Sequence, residues 1–202
     1  MTVYNNPKKQ LQYIKEMHQI HGTQVGTQAA LLAENQSSVM ALMFFMDEVL
    51  YKSLKEEEPN KPLFDYVVSE LQALSISNAI HNSHFCNTPI NFLLRTARYL
   101  GIEPMNNYSS REPLFNMKEG RFQAIPSNFS AMANPNVDYF LDPLASSHLH
   151  YYLNACHNNG EQPRLDSKQR NSTLNNLLEY YHIHFSDFNN FKSHEILHSV
   201  LR

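Results

Sequence analysis

Near the end of the chain, His194-Glu195-Ile196-Leu197-His198 makes the pattern H-E-x-x-H. On a helix this spacing puts both imidazoles on one face, where they can ligate zinc beside a glutamate acting as general base, the arrangement of a zinc-dependent hydrolase. Three features weigh against that chemistry. Four residues follow His198, which leaves a downstream third ligand no place, and an upstream one from His182 or His184 needs an unusual arrangement. Ile196, Leu197 and Leu201 read as contacts docking a short helix on a core. With 11 histidines in 202 residues, a chance match is easy. No catalytic residue, metal ligand or cofactor is therefore assigned, and hydrolysis through residues 194–198 stands as the alternative function.

The other reactive side chains are no more convergent. His148/His150 and His182/His184 are spaced by two, which on a helix points the partners about 200° apart, so surface or half-buried positions are expected. Cys86 and Cys156 are too few for a four-thiolate zinc site or a disulfide framework. Glu56, Glu57 and Glu58 form an acidic helix end that solvent can carry. No glycine-rich phosphate loop, nucleophile elbow or carboxylate pair is present. Arg95 and Arg98, three apart on one helix, are the clearest charged pair. The chemistry favours binding over catalysis.

Those arginines sit in TPINFLLRTARYLGIEP, residues 88–104, which has the marks of a complete helix. Thr88 is placed to cap it, Pro89 fits the first helical position, and Gly101 followed by Pro104 stops it. Ile90, Leu93, Leu94, Ala97 and Leu100 keep the three-and-four spacing of a buried face, with the arginines opposite. Before it, a long helix is expected from Ser37, with Met40, Met43, Phe44, Val49, Leu50 and Leu54 on its apolar stripe and the Met40, Met43, Met46 series in the core. A second helix follows Pro59-Asn60-Lys61-Pro62, with Leu63, Phe64, Val67, Leu71 and Leu74 on one side.

After Pro104 the pattern switches to two short strands about Lys118-Glu119-Gly120, a β-hairpin over about residues 114–124. Residues 126–141 read as loop. Asp142-Pro143 opens another helix, ended by Asn158-Asn159-Gly160, and Asp166 or Ser167 caps the next, whose inner face is Leu174, Leu177, Leu178 and Tyr181. A last helical stretch runs from Ser193 to Leu201. The fold class is thus mainly α with one small hairpin and no zinc site. Residues 1–30 form an extended lead-in and residues 31–202 a helical domain.

Composition agrees with a core that needs no metal or disulfide. Sixteen Lys and Arg against nineteen Asp and Glu give a formal charge of −3, so nucleic-acid binding would need a local patch. The opening MTVYNNPKKQ lacks an apolar signal region, no run is long enough for a membrane span, and the expected setting is the cytoplasm.

Taken together, DEVLYKSLKEEEPNKPLFDYVVSELQAL, FLLRTARYLGIEP with the following NNYS, FNMKEGRF, and LLEYYHIHFSDFNNFKSHEILHSVL resemble the C-terminal helical domain of the RecO family of DNA repair proteins, in the form found in Bacteroidetes-type bacteria. VYNNPKKQLQYIKEM is similar to the end of that family's N-terminal OB-fold. Some RecO lineages hold the segment after the central helix with four cysteines; NNYSSREPLFNMKEGRFQAI has none, and Leu114, Phe115 and Phe122 are expected to hold the hairpin instead.

The resemblance implies a non-enzymatic recombination mediator. The family binds DNA, works with RecR to load RecA, and captures the acidic, apolar-ended C-terminal tail of the single-strand-binding protein. Nearly all of the OB-fold has no counterpart here, so DNA binding is expected to be weak, and a degenerate paralogue acting as an adaptor is a further alternative. Arg95 and Arg98 with Leu94 and Tyr99 are the candidate tail-binding residues, and Lys118 and Arg121 a candidate basic patch.

Overall fold

The computed structural model describes residues 2–4, 13–16, 36–54, 59–76, 83–125, 139–158 and 163–200. Two short strands, β1 (Thr2–Tyr4) and β2 (Tyr13–Glu16), pair antiparallel. The helices are α1 (Gln36–Ser53), α2 (Lys61–Ile76), α3 (Ser83–Tyr99), α4 (Pro143–Asn158), α5 (Ser167–His184) and α6 (Ser193–Val200). Between α3 and α4 lies the hairpin β3 (Leu114–Asn116) and β4 (Arg121–Gln123). The expected mainly helical fold with a hairpin in residues 114–124 forms, and the β1–β2 pair adds a second two-stranded sheet in the lead-in. Glu56–Glu58, most of the 126–141 loop and Leu201 lie outside the described residues.

Helix α3 is the hub, packed against α1, α2, α4 and α5. Ile90, Leu93, Leu94 and Ala97 are buried as their spacing predicts, each large side chain contributing about 1.5–3 kcal/mol before entropy is charged. Its C-terminus has the full glycine geometry. Gly101 adopts φ +75°, its amide donates to Arg98 O (3.4 Å), and Ile102 N donates to Ala97 O (3.0 Å), which are the two bonds of a Schellman motif.

The N-terminus differs from expectation. The helix starts at Ser83, with Thr88 and Pro89 inside it. Proline removes the amide that would bond the Phe85 carbonyl, a cost offset by tertiary anchoring of the preceding turn. Phe85 is buried, and Asn87, also buried, accepts from Tyr152 Oη (2.8 Å) and donates to Pro163 O (3.1 Å).

Helix α1 also turns a different face inward. Ala41, Leu42, Phe45, Met46 and Val49 are buried, whereas Met40, Met43, Phe44 and Leu54 are 44–57% exposed. Residues 39–46 are apolar without interruption, so the spacing alone leaves the helix's phase open, and packing against α3 and α6 selects it. On α2, likewise, Leu63 and Leu74 are buried as expected, Phe64 is 63% exposed, and Tyr66 takes the inner position.

The remaining helix starts follow their signals. Asn60 Oδ1 accepts from Leu63 N, and Asp142 Oδ1 from Ala145 N. Asp166 and Gln169 form a reciprocal capping box on α5, whose Leu174, Leu177, Leu178 and Tyr181 are buried. Helix α6 is capped from a distance, because the Glu48 carboxylate of α1 accepts from Lys192 N and Ser193 N. Leu197 docks into the core, while Ile196 is half exposed.

The hairpin is held as a three-stranded edge. Residues 139–141 run antiparallel to β3 on its other side, through Met117 N to Tyr139 O and Leu141 N to Phe115 O. Leu114, Phe115 and Phe122 are buried as expected, with the two phenylalanine rings edge to face. Asn116 Oδ1 accepts from the amides of Lys118 and Glu119, closing the turn that Gly120 completes at φ +66°.

Candidate functional site

In its C-terminal half α3 opens to solvent at Arg95 and Arg98. There α2, α3 and α4 border a surface groove of about 320 Å³. Leu94, Arg95, Arg98 and Tyr99 all line it, so the four residues singled out from the sequence converge. Leu94 is buried in the floor, Tyr99 is half-buried, and both arginines are exposed. Lys118 and Arg121 do not line the groove. They stay exposed at the hairpin turn, where Lys118 Nζ lies 5.5 Å from the Tyr139 ring centroid.

Sequence reasoning did not single out the other side chains at this groove. Tyr66 enters from α2, its ring stacked on Tyr99 (centroids 5.4 Å) and on the buried Phe92 (6.0 Å). Leu153, Cys156 and His157 come from α4, and Glu103 from the segment after α3. No local pattern joins positions 66, 99, 103 and 157. Only the α2–α3–α4 packing brings them together.

Each arginine already has a carboxylate. Arg95 Nη1 donates to Glu70 Oε1 at 3.5 Å, and Arg98 Nε lies 3.8 Å from Glu103 Oε2. These are long, partly exposed pairs of the kind worth about 0–1 kcal/mol. Burial raises the Glu70 carboxyl above its usual value, with Arg95 opposing. Burial likewise raises the Cys156 thiol, again opposed by Arg95, and the thiol donates to Asn91 Oδ1 at 3.6 Å. Cys156 is thus held as a thiol and is a poor nucleophile.

Burial also raises the Tyr66 phenol well above its ordinary value, so it stays protonated, and its hydroxyl is enclosed with no hydrogen-bond partner among the described residues. The groove therefore offers guanidinium donors, an apolar floor and aromatic walls. That suits recognition of an anionic, partly apolar chain.

The H-E-x-x-H segment forms α6 as a short helix. His194 is half-buried with its ring 6.0 Å from that of Phe191, and Glu195 is exposed. The side chain of His198 lies outside the described residues. His182, His194 and Glu179 border a second shallow groove beside Phe188 and Phe191. Among the described residues, however, no group of three or more His, Cys, Asp or Glu is placed to hold a metal ion. His148 is buried rather than half-exposed, and His184 Nε2 meets Met117 O at 3.0 Å. No described helix is long and apolar enough to cross a membrane.

Comparison with known proteins bears on the same region. Residues 36–111 match the family described as Recombination protein O C terminal. A DNA repair protein RecO of Christiangramia forsetii is 32% identical over 161 residues, covering 80% of this chain and 61% of that protein. One from Azobacteroides pseudotrichonymphae is 27% identical over 200 residues, 99% of this chain and 75% of the relative. Another from Flavobacterium psychrophilum is 29% identical over 159 residues, 79% of this chain and 60% of the relative. No solved structure matches the chain.

Proposed function

We propose, from the match of residues 36–111 to the family described as Recombination protein O C terminal, that the chain is a non-enzymatic mediator of DNA repair and recombination. Its helical domain captures the C-terminal tail of the single-strand-binding protein and works with RecR in the loading of RecA. Contact with DNA is a weaker, secondary part of the proposal. Residues 31–202 are its interaction domain, and residues 1–30 a lead-in resembling the end of an OB-fold domain. The β1–β2 pair supports the extended character of that lead-in.

One observation carries the tail-binding role. Arg95 and Arg98, both exposed, share a groove with the buried Leu94 and the half-buried Tyr99. A tail of acidic residues ending in apolar side chains and a carboxylate asks for that combination, since charge-assisted bonds orient it and an apolar slot takes its end. The test is a low-salt titration of the full chain with a synthetic tail peptide. Saturable binding that Arg95→Glu weakens is expected, and no binding by the wild-type chain would contradict the proposal.

A further inference from the structure

Glu103 lines the groove between α3 and α4. Its Oε1 lies 3.4 Å from His157 Nε2 and its Oε2 3.8 Å from Arg98 Nε, so one side chain touches groups from α4 and α3 across the groove. The backbone beneath it is tightly held. Ile102 N donates to Ala97 O, Ile102 O accepts from Tyr180 Oη at 2.8 Å, Pro104 is buried, and Met105 N donates to Gly120 O. The carboxylate is thus delivered to the rim from a fixed base.

Helix stability does not account for it. Glu103 follows the C-terminus of α3 and faces the last turn of α4, and an anion is disfavoured at both ends. Nor does His157 hold it firmly when neutral. His157 Nδ1 bonds the Leu153 carbonyl, which can only accept, so the proton sits on Nδ1 and the neutral ring turns its Nε2 lone pair towards the Glu103 carboxylate. Beyond that, Arg98 is its partner, through a long and exposed contact that solvent screens. The hydroxyl of Tyr66, a residue that lines the same groove, is buried with no acceptor among the described residues.

We propose that Glu103 is a resident counter-ion, occupying the carboxylate position of the empty groove and giving it up when an acidic chain binds. This rests on the tail-binding role proposed above. Glu103 is then a specificity residue: it admits only ligands whose carboxylate, together with their apolar contacts, outcompetes a carboxylate already in place.

The experiment is a low-salt anisotropy titration of the full chain with the fluorescent tail peptide, comparing wild type, Glu103→Gln and Glu119→Gln. Glu119 is an exposed glutamate at the hairpin turn, off the groove, so its variant changes net charge equally. Glu103→Gln is expected to bind roughly three- to fivefold tighter, the scale of one released surface pair, and Glu119→Gln within about 1.5-fold of wild type. Equal tightening by both variants, or none from Glu103→Gln while wild type binds, would overturn the counter-ion role and leave the tail-binding role standing. Absence of binding by all three chains would overturn both.

Discussion

Buried tyrosines show how much depends on where a single hydroxyl points. Tyr181 Oη donates to Leu93 O at 2.7 Å and Tyr152 Oη to Asn87 Oδ1 at 2.8 Å, whereas Tyr66 Oη has no partner among the described residues. Tyr181→Phe is expected to lower stability by about 1 kcal/mol, the net worth of a buried hydrogen bond, while Tyr66→Phe leaves it unchanged or raised. Chemical denaturation of the two variants checks the contrast. His150 gives a second case. Its Nδ1 meets Asn106 Oδ1 (3.0 Å), its Nε2 accepts from Asn154 Nδ2 (2.9 Å), and Asn106 Nδ2 donates to Asn154 Oδ1 (2.7 Å). The ring of bonds closes only with a neutral imidazole. Protonation makes both ring nitrogens donors, and turning the Asn154 amide to accept from Nε2 would set its NH2 group against that of Asn106. Burial holds the His150 pKa below its ordinary 6.5. The unfolded chain then binds the extra proton first, so this contribution is present above about pH 6.5 and is lost as pH falls below it. Thermal melts from pH 8 to 5 should show that decline, and His150→Gln should remove it.

At the scale of elements, the carboxylate that caps α6 is supplied by α1. Burial raises the Glu48 carboxyl, but bonds from Ser193 and Lys192 and the Lys52 charge outweigh it and hold it below the ordinary value of 4.5. The sign follows as for His150, in a lower window: the capping contribution is present above about pH 4.5 and is lost as pH falls further. Glu48→Ala is expected to cost about 1–3 kcal/mol and to speed amide exchange in α6 before the rest of the domain, measured by hydrogen exchange. Gly120 carries a similar burden in the hairpin. A Cβ there would lie 2.8 Å from Tyr180 Oη at a φ of +66°, so Gly120→Ala should cost about 2 kcal/mol in thermal unfolding. Element starts and stops were legible where one residue does the work, as at Asp142, Asp166 and Gly101. They were illegible where tertiary contacts override the local signal. Pro89 reads as a helix start, yet Phe85 and Asn87 anchor another turn before it, and the unbroken apolar run of α1 hides which side the core will take.

For the whole molecule, the sequence made the mainly helical fold, the cysteine-free hairpin and the buried face of α3 legible. Half of the groove was legible too, because Leu94, Arg95, Arg98 and Tyr99 lie on one stretch of helix. The other half was not. Tyr66, Glu103 and His157 reach it from separate elements, and the counter-charges that temper the arginines follow only from packing. The formal charge of −3 and these resident carboxylates suit a groove that selects an acidic chain with an apolar end over nucleic acid, which would bring charge without apolar contacts. The central claim is that this groove binds such a chain through Arg95. Its most direct test is titration of the wild-type and Arg95→Glu chains with the tail peptide at low salt. Saturable wild-type binding that Arg95→Glu weakens by about tenfold or more is the predicted result. Equal affinity of the two chains, or no wild-type binding, would contradict it.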